Sequence, residues 1–111
     1  MKLPHADRAI VEIEKLRDYC LSANHPRGRH KARVFATALE ITADDAEELR
    51  QTILSALLTE EAMPTERDEY GQRYVVDSIM TRQGRQARVR TSWIIRRGED
   101  YPRLSVCSKI T

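Results

Sequence analysis

Gln86-Ala-Arg-Val-Arg-Thr-Ser-Trp-Ile-Ile-Arg96 is the stretch that decides the fold. Side chains alternate across a strand, so Ala87, Val89, Thr91, Trp93 and Ile95 share one face. Arg88, Arg90, Ser92, Ile94 and Arg96 take the other. One face suits a core; the other carries arginine. Upstream, Tyr70 to Met80 reads as a pairing strand, joined through Thr81-Arg-Gln-Gly-Arg85. Downstream, Arg97-Gly-Glu-Asp-Tyr101 and Pro102 lead to a last strand, Arg103 to Ile110. There Leu104, Val106, Ser108 and Ile110 oppose Arg103, Ser105, Cys107 and Lys109. The expectation is an antiparallel meander of three strands, or a slightly larger sheet.

Working outward, the chain before the meander is helical. Thr42-Ala-Asp-Asp-Ala-Glu-Glu48 opens a helix with a cap residue and four acids, Asp45 standing in the capping-box position. Ala46, Leu49, Ile53 and Leu57 give it one apolar face over about Ala43 to Glu61. The polar run Met63-Pro-Thr-Glu-Arg-Asp-Glu69 that follows is expected to be a mobile loop. An earlier helix runs from about Arg29 to Leu39, its stripe formed by Val34, Phe35, Ala38 and Leu39. A first helix spans about Glu12 to Leu21 on Ile13, Leu16 and Cys20, and Leu3 to Val11 is irregular or briefly extended. Asn24-His-Pro-Arg-Gly28 breaks the chain between them. The fold class is α+β: N-terminal helices packed on one face of a small antiparallel sheet. One domain is expected over 1–111, helical over about 12–61 and sheet over about 70–110.

The chain has 111 residues, 41% hydrophobic and 32% charged, the profile of an ordinary globular protein. No stretch approaches the ~18 apolar residues of a membrane span, and no secretory h-region stands at Met1, so no membrane partner and a cytoplasmic location are expected. Cys20 and Cys107 have no metal-ligand spacing and read as small buried hydrophobes, with a disulfide between them left open. The net charge of +2 hides a segregation. Residues 1–40 hold 8 bases and 5 acids, residues 41–69 hold 2 and 9, and residues 70–111 hold 9 and 3. Such a chain suits a polyanion on one face and a basic partner on another.

His25-Pro-Arg-Gly-Arg-His-Lys-Ala-Arg33 loads a helix start with cations. That end already carries about half a positive charge, so each base there costs roughly 0.3–1 kcal/mol. A phosphate is the anion that would offset it, and a solvated basic turn is the plain alternative. Lys31 falls on the apolar stripe one turn before Phe35, where it is either a phosphate ligand or a snorkelling stem. There is no glycine-rich phosphate loop, metal cluster or nucleophile elbow. What remains compatible is metal-independent cleavage of RNA through its 2′-hydroxyl, with no cofactor. His30 is the candidate acid or base, with Lys31 and Arg90 on the phosphate and Thr91 or Ser92 assisting. Arg29, Arg33, Arg88, Trp93 and Arg103 are the candidate substrate-binding residues, and Tyr70 could stack a base. A lone Trp in a strand, as Trp93 is, is more often core, and the arginines also read as a soluble sheet face. This site requires helix and sheet cations to meet across one groove.

Gly28-Arg-His-Lys-Ala-Arg-Val-Phe35, Tyr70-Gly-Gln-Arg-Tyr-Val-Val-Asp77, Arg90-Thr-Ser-Trp-Ile-Ile-Arg96 and Gly98-Glu-Asp-Tyr-Pro-Arg-Leu104 resemble the signature blocks of a family of short bacterial proteins, known only as a domain of unknown function. That family is in turn similar to the barnase–EndoU–colicin–RelE-like toxin nucleases, in which helices pack on an antiparallel sheet that forms the RNA cleft. The resemblance implies a fold, a toxin-type endoribonuclease and a small cognate antitoxin protein as partner. The matching polar positions are His30, Lys31, Arg33, Arg90, Thr91, Ser92 and Arg103. Two alternatives stand beside it: a non-catalytic protein- or RNA-binding module, supported by the acidic segment, and a DNA-binding regulator, for which no recognition-helix pattern is evident.

Overall fold

Three helical segments cover one face of a four-stranded antiparallel sheet in strand order β1-β2-β3-β4. The coordinates are a computed structural model that describes residues 1–110. The strands are β1 (Ala62–Asp68), β2 (Gly71–Arg82), β3 (Arg85–Arg96) and β4 (Arg103–Ile110). The helices are α1 (Ile13–Lys15), which runs straight into a π-helical turn (Leu16–Cys20), α2 (Arg29–Leu39) and α3 (Ala46–Leu57).

The sheet follows the alternation read in β3. Ala87, Val89, Thr91 and Trp93 are buried, while Arg88 and Arg90 are exposed on the reverse side. The β2–β3 hairpin turns on Gln83 and Gly84, both at positive φ (52° and 77°), the two-residue geometry that matches strand twist. β4 departs from simple alternation. Trp93 faces Leu104 and Ser92 faces Val106, so Ser105 is an extra residue, a bulge. The bulge shifts the phase by one: Leu104 and Cys107 are buried, and Val106, expected beside Leu104, is exposed.

β1 replaces the expected mobile loop. Ala62, Met63 and Pro64 pair with Val76, Val75 and Tyr74, and the register slips before Arg67 meets Gln72. Its sequence hides it because only Ala62 is buried. A proline, a bulge and charges are what an outer strand tolerates and what keeps it from pairing further.

On the other side of the core, α2 seats on Ala32, Phe35 and Leu39. Val34, expected in that stripe, is 41% exposed because it lies about 200° round from Ala32. α3 presents Ala46, Leu49, Ile53 and Leu57 as read, after a 3₁₀ turn (Ala43–Asp45). The Asp45 carboxylate accepts from the Thr42 N–H at 3.0 Å. The helix stops at Leu57, four residues early, because the next side chain, Leu58, has no core to enter and is 62% exposed. Leu16, Phe35, Leu39, Leu49, Ile53, Val89 and Trp93 form one contiguous core with the sheet.

Candidate functional site

His25-Pro-Arg-Gly28 is the turn that leads into α2. The His25 Nδ1 accepts the backbone N–H groups of Arg27 (3.0 Å) and Gly28 (3.1 Å), as the oxygen of a capping residue does. Pro26 sits inside this turn, three residues before α2 begins, where its missing N–H removes no helix bond. Arg29 N–H bonds back to the His25 carbonyl at 2.9 Å. Two N–H groups aimed at Nδ1 make that nitrogen the acceptor and leave Nε2 as the ring's donor. Gly28 is required by contact: a Cβ there would stand 2.0 Å from the Tyr19 carbonyl oxygen.

The turn carries His25 onto Tyr19, ring centroids 4.6 Å apart and edge to face. Lys31 Nζ lies 5.7 Å from the centre of the same Tyr19 ring. These three side chains line a cavity of about 580 Å³ between the π-helical turn and β4. Glu14, Lys15, Asp18, Cys20, Ser105 and Cys107 complete its polar and thiol lining. Lys15 Nζ donates to the Leu104 carbonyl at 3.0 Å and Cys20 Sγ to the Cys107 carbonyl at 3.2 Å, so side chains close part of the β4 edge. Asp18 is held by Arg17 at 2.8 and 2.9 Å, a pair that lowers its carboxyl below the ordinary range. What this arrangement offers a ligand is an ammonium, an imidazole N–H, an aromatic ring and two carboxylates around one opening.

The sequence-derived site is divided by the sheet. Lys31 enters the cavity, whereas His30 is exposed on α2 and does not line it. Arg29 and Arg33 border a separate groove of about 340 Å³ beside Leu21 and Thr42. Arg88, Arg90 and Ser92 lie on the face of β3 turned away from the helices, so among the described residues they share no groove with Lys31. Arg90 is spent on Asp77, a bidentate pair at 2.8 and 2.9 Å that draws the Asp77 carboxyl down. Thr91 is 3% exposed, donates to the Val76 carbonyl and accepts the Trp93 indole N–H at 2.8 Å. Trp93 is 1% exposed. Neither can meet a substrate, because both serve the core. Arg103 is bound by Glu99 at 3.2 Å and stacked over Tyr101, which raises its pKa further. Tyr70 is exposed at the β1–β2 turn, remote in sequence from any cavity residue. His25 and Tyr19 were missed. A His-Pro-x-Gly turn directly before a helix was the available signal for His25; nothing local marks Tyr19.

A family model matches residues 2–109, nearly the whole chain. The protein belongs to the family Domain of unknown function (DUF6883). No curated protein matches the chain. The description of DUF6883 assigns no activity, so the reading of this DUF6883 chain rests on its geometry. Among the described residues, no helix is long and apolar enough to cross a membrane. Nor, among them, do three or more His, Cys, Asp or Glu gather to hold a metal ion.

Proposed function

We propose that this DUF6883 protein is a metal-independent endoribonuclease of toxin type, with its scissile phosphate held in the cavity between the π-helical turn and β4. The observation that carries the reading is the convergence of the Lys31 ammonium and the fixed His25 N–H on one opening beside Tyr19. Transesterification by the 2′-hydroxyl concentrates charge on the non-bridging phosphate oxygens, and donors fixed before the reaction stabilise that charge without reorganising. Lys31 supplies the charge and His25 a hydrogen bond; Tyr19 offers a ring face to a flanking base. Glu14, which lines the cavity and unlike Asp18 is not held by Arg17, would take the 2′-hydroxyl proton, and water at the open mouth would protonate the departing 5′-oxygen as its bond to phosphorus breaks. His25 is thereby a hydrogen-bond donor and not a proton shuttle. A proton added at Nδ1 would face the N–H groups of Arg27 and Gly28.

The test is purified protein incubated with total RNA in EDTA. Wild type is expected to cut and leave 2′,3′-cyclic phosphate ends. Lys31→Gln should lower the rate on the order of 10²-fold. His25→Asn should lower it similarly while keeping the turn, because its side-chain oxygen can still accept the two backbone N–H groups. Intact RNA after incubation with folded wild-type protein defeats the reading. RNA retained on the protein but uncut would establish the binding module instead.

A further inference from the structure

We infer that Cys20 and Cys107 form a hydroperoxide-reactive dithiol that closes to an intramolecular disulfide at the wall of the phosphate cavity. Three placements carry this. Cys20 ends the π-helical turn, and its Sγ reaches the Cys107 carbonyl at 3.2 Å, which brings the sulfur of one residue onto the backbone of the other. The bulge at Ser105 turns Cys107 toward the helices; regular alternation from Leu104 would have sent its side chain to the opposite face. Both cysteines, 2% and 3% exposed, border the cavity shared with Lys31, which is the side from which a small oxidant would reach them and where a cation stands nearby. They are the only two cysteines of the chain.

The two thiols are also unequal. Pairing with Cys107, assisted by the Lys31 charge and opposed by burial, holds the Cys20 thiol below its ordinary range. The same pairing, with burial, pushes Cys107 well above it. Cys20, at the end of the π-helical turn, is the attacking sulfur and Cys107, on the sheet, the resolving one. The Cys20 thiolate attacks one peroxide oxygen, the O–O bond breaks, and the departing hydroxide takes a proton to become water. The Cys107 sulfur, giving up its proton, then attacks the Cys20 sulfenic acid; the S–O bond breaks, a second water leaves and the S–S bond forms. Two thiols lose two electrons, and one hydroperoxide is reduced. The bond would tie the π-helical turn to β4 beside Lys31, which places the proposed ribonuclease under redox control. This last consequence rests on the reading of the cavity; the dithiol does not.

The experiment treats the full wild-type chain with hydrogen peroxide, alkylates it under denaturing conditions with N-ethylmaleimide and records the intact mass. Loss of both alkylatable thiols, a mass lower by two hydrogens and full recovery with dithiothreitol are expected. Cys107→Ser should stop at a sulfenic acid that dimedone labels, and Cys20→Ser should take no label. Two maleimide adducts on peroxide-treated wild type overturn the proposal, as does a disulfide between chains. The wild-type thiol count needs no variant, so a substitution that fails to fold leaves the test standing. Because it reads sulfur and not RNA, a positive count with intact RNA would retain the dithiol and discard the nuclease.

Discussion

Thr91 shows how a single hydroxyl converts a suspected site residue into a structural one. Its oxygen accepts the Trp93 indole N–H at 2.8 Å and donates to the Val76 carbonyl, all inside the core. A buried donor left without a partner costs about 1–3 kcal/mol, so Thr91→Val should destabilise the protein by that amount despite its near-identical shape. The midpoint of urea unfolding at unchanged slope measures it. A shift equivalent to less than about 0.5 kcal/mol, the range of ordinary surface substitutions, would remove the indole–hydroxyl bond from the account. Lys31 was legible at this scale, because a cation on an apolar stripe is anomalous wherever it occurs. His25 was not read, because its place in the cavity depends on a turn closed on a ring nitrogen, and the familiar residues of such turns accept through a side-chain oxygen. His30 looked the better histidine on charge alone. It is exposed on α2 and does not line the cavity.

Elements that bury a face announced themselves and elements that do not stayed silent. α3 and β3 were readable because period and burial coincide in them. β1 could not be read, since six of its seven residues are exposed and its pairing to β2 leaves no apolar period. The Ser105 bulge was equally hidden, because an inserted residue changes phase without changing composition. The outer face of the β2–β3 pair carries its own testable consequence. Asp77 and Arg90 are directly opposite and joined by two hydrogen bonds, with the Asp77 carboxyl held below its ordinary value chiefly by the Arg90 hydrogen bond. Both side chains are partly exposed, 31% and 47%, so solvent screens the pair and limits it to a small contribution. A depressed carboxyl pKa stabilises above the unfolded value and ceases to do so as pH falls through the folded one. Arg90→Ala should therefore lower stability slightly near pH 7 and make progressively less difference below about pH 4. Denaturation midpoints at pH 7 and pH 3 check it; an equal deficit at both would assign the loss to packing by the arginine stem.

For the molecule as a whole, the sheet is a wall. Helices, the cavity and Lys31 lie on one side, and Arg88 and Arg90 on the other. The segregated charge seen along the sequence is therefore not one basic cleft. Much of the acid of residues 41–69 is consumed internally: Arg82 holds Asp45 and Glu48, Arg50 holds Glu47, and Asp68 meets Arg73. A basic outer face can still attract RNA over distance, but attraction of that kind raises the rate of encounter and fades with salt. Contact in the cavity acts on the bound transition state and persists at saturating RNA. The double substitution Arg88→Ala with Arg90→Ala is accordingly expected to raise KM at low salt, to lose that effect near 0.5 M salt, and to leave kcat unchanged. Lys31→Gln is expected to lower kcat at every salt concentration. Steady-state cleavage of one short RNA at two ionic strengths separates these outcomes. Should the outer-face pair abolish kcat while Lys31→Gln spares it, the chemistry belongs on the bare side of the sheet. The cavity beside Tyr19 would then lose its claim to the phosphate.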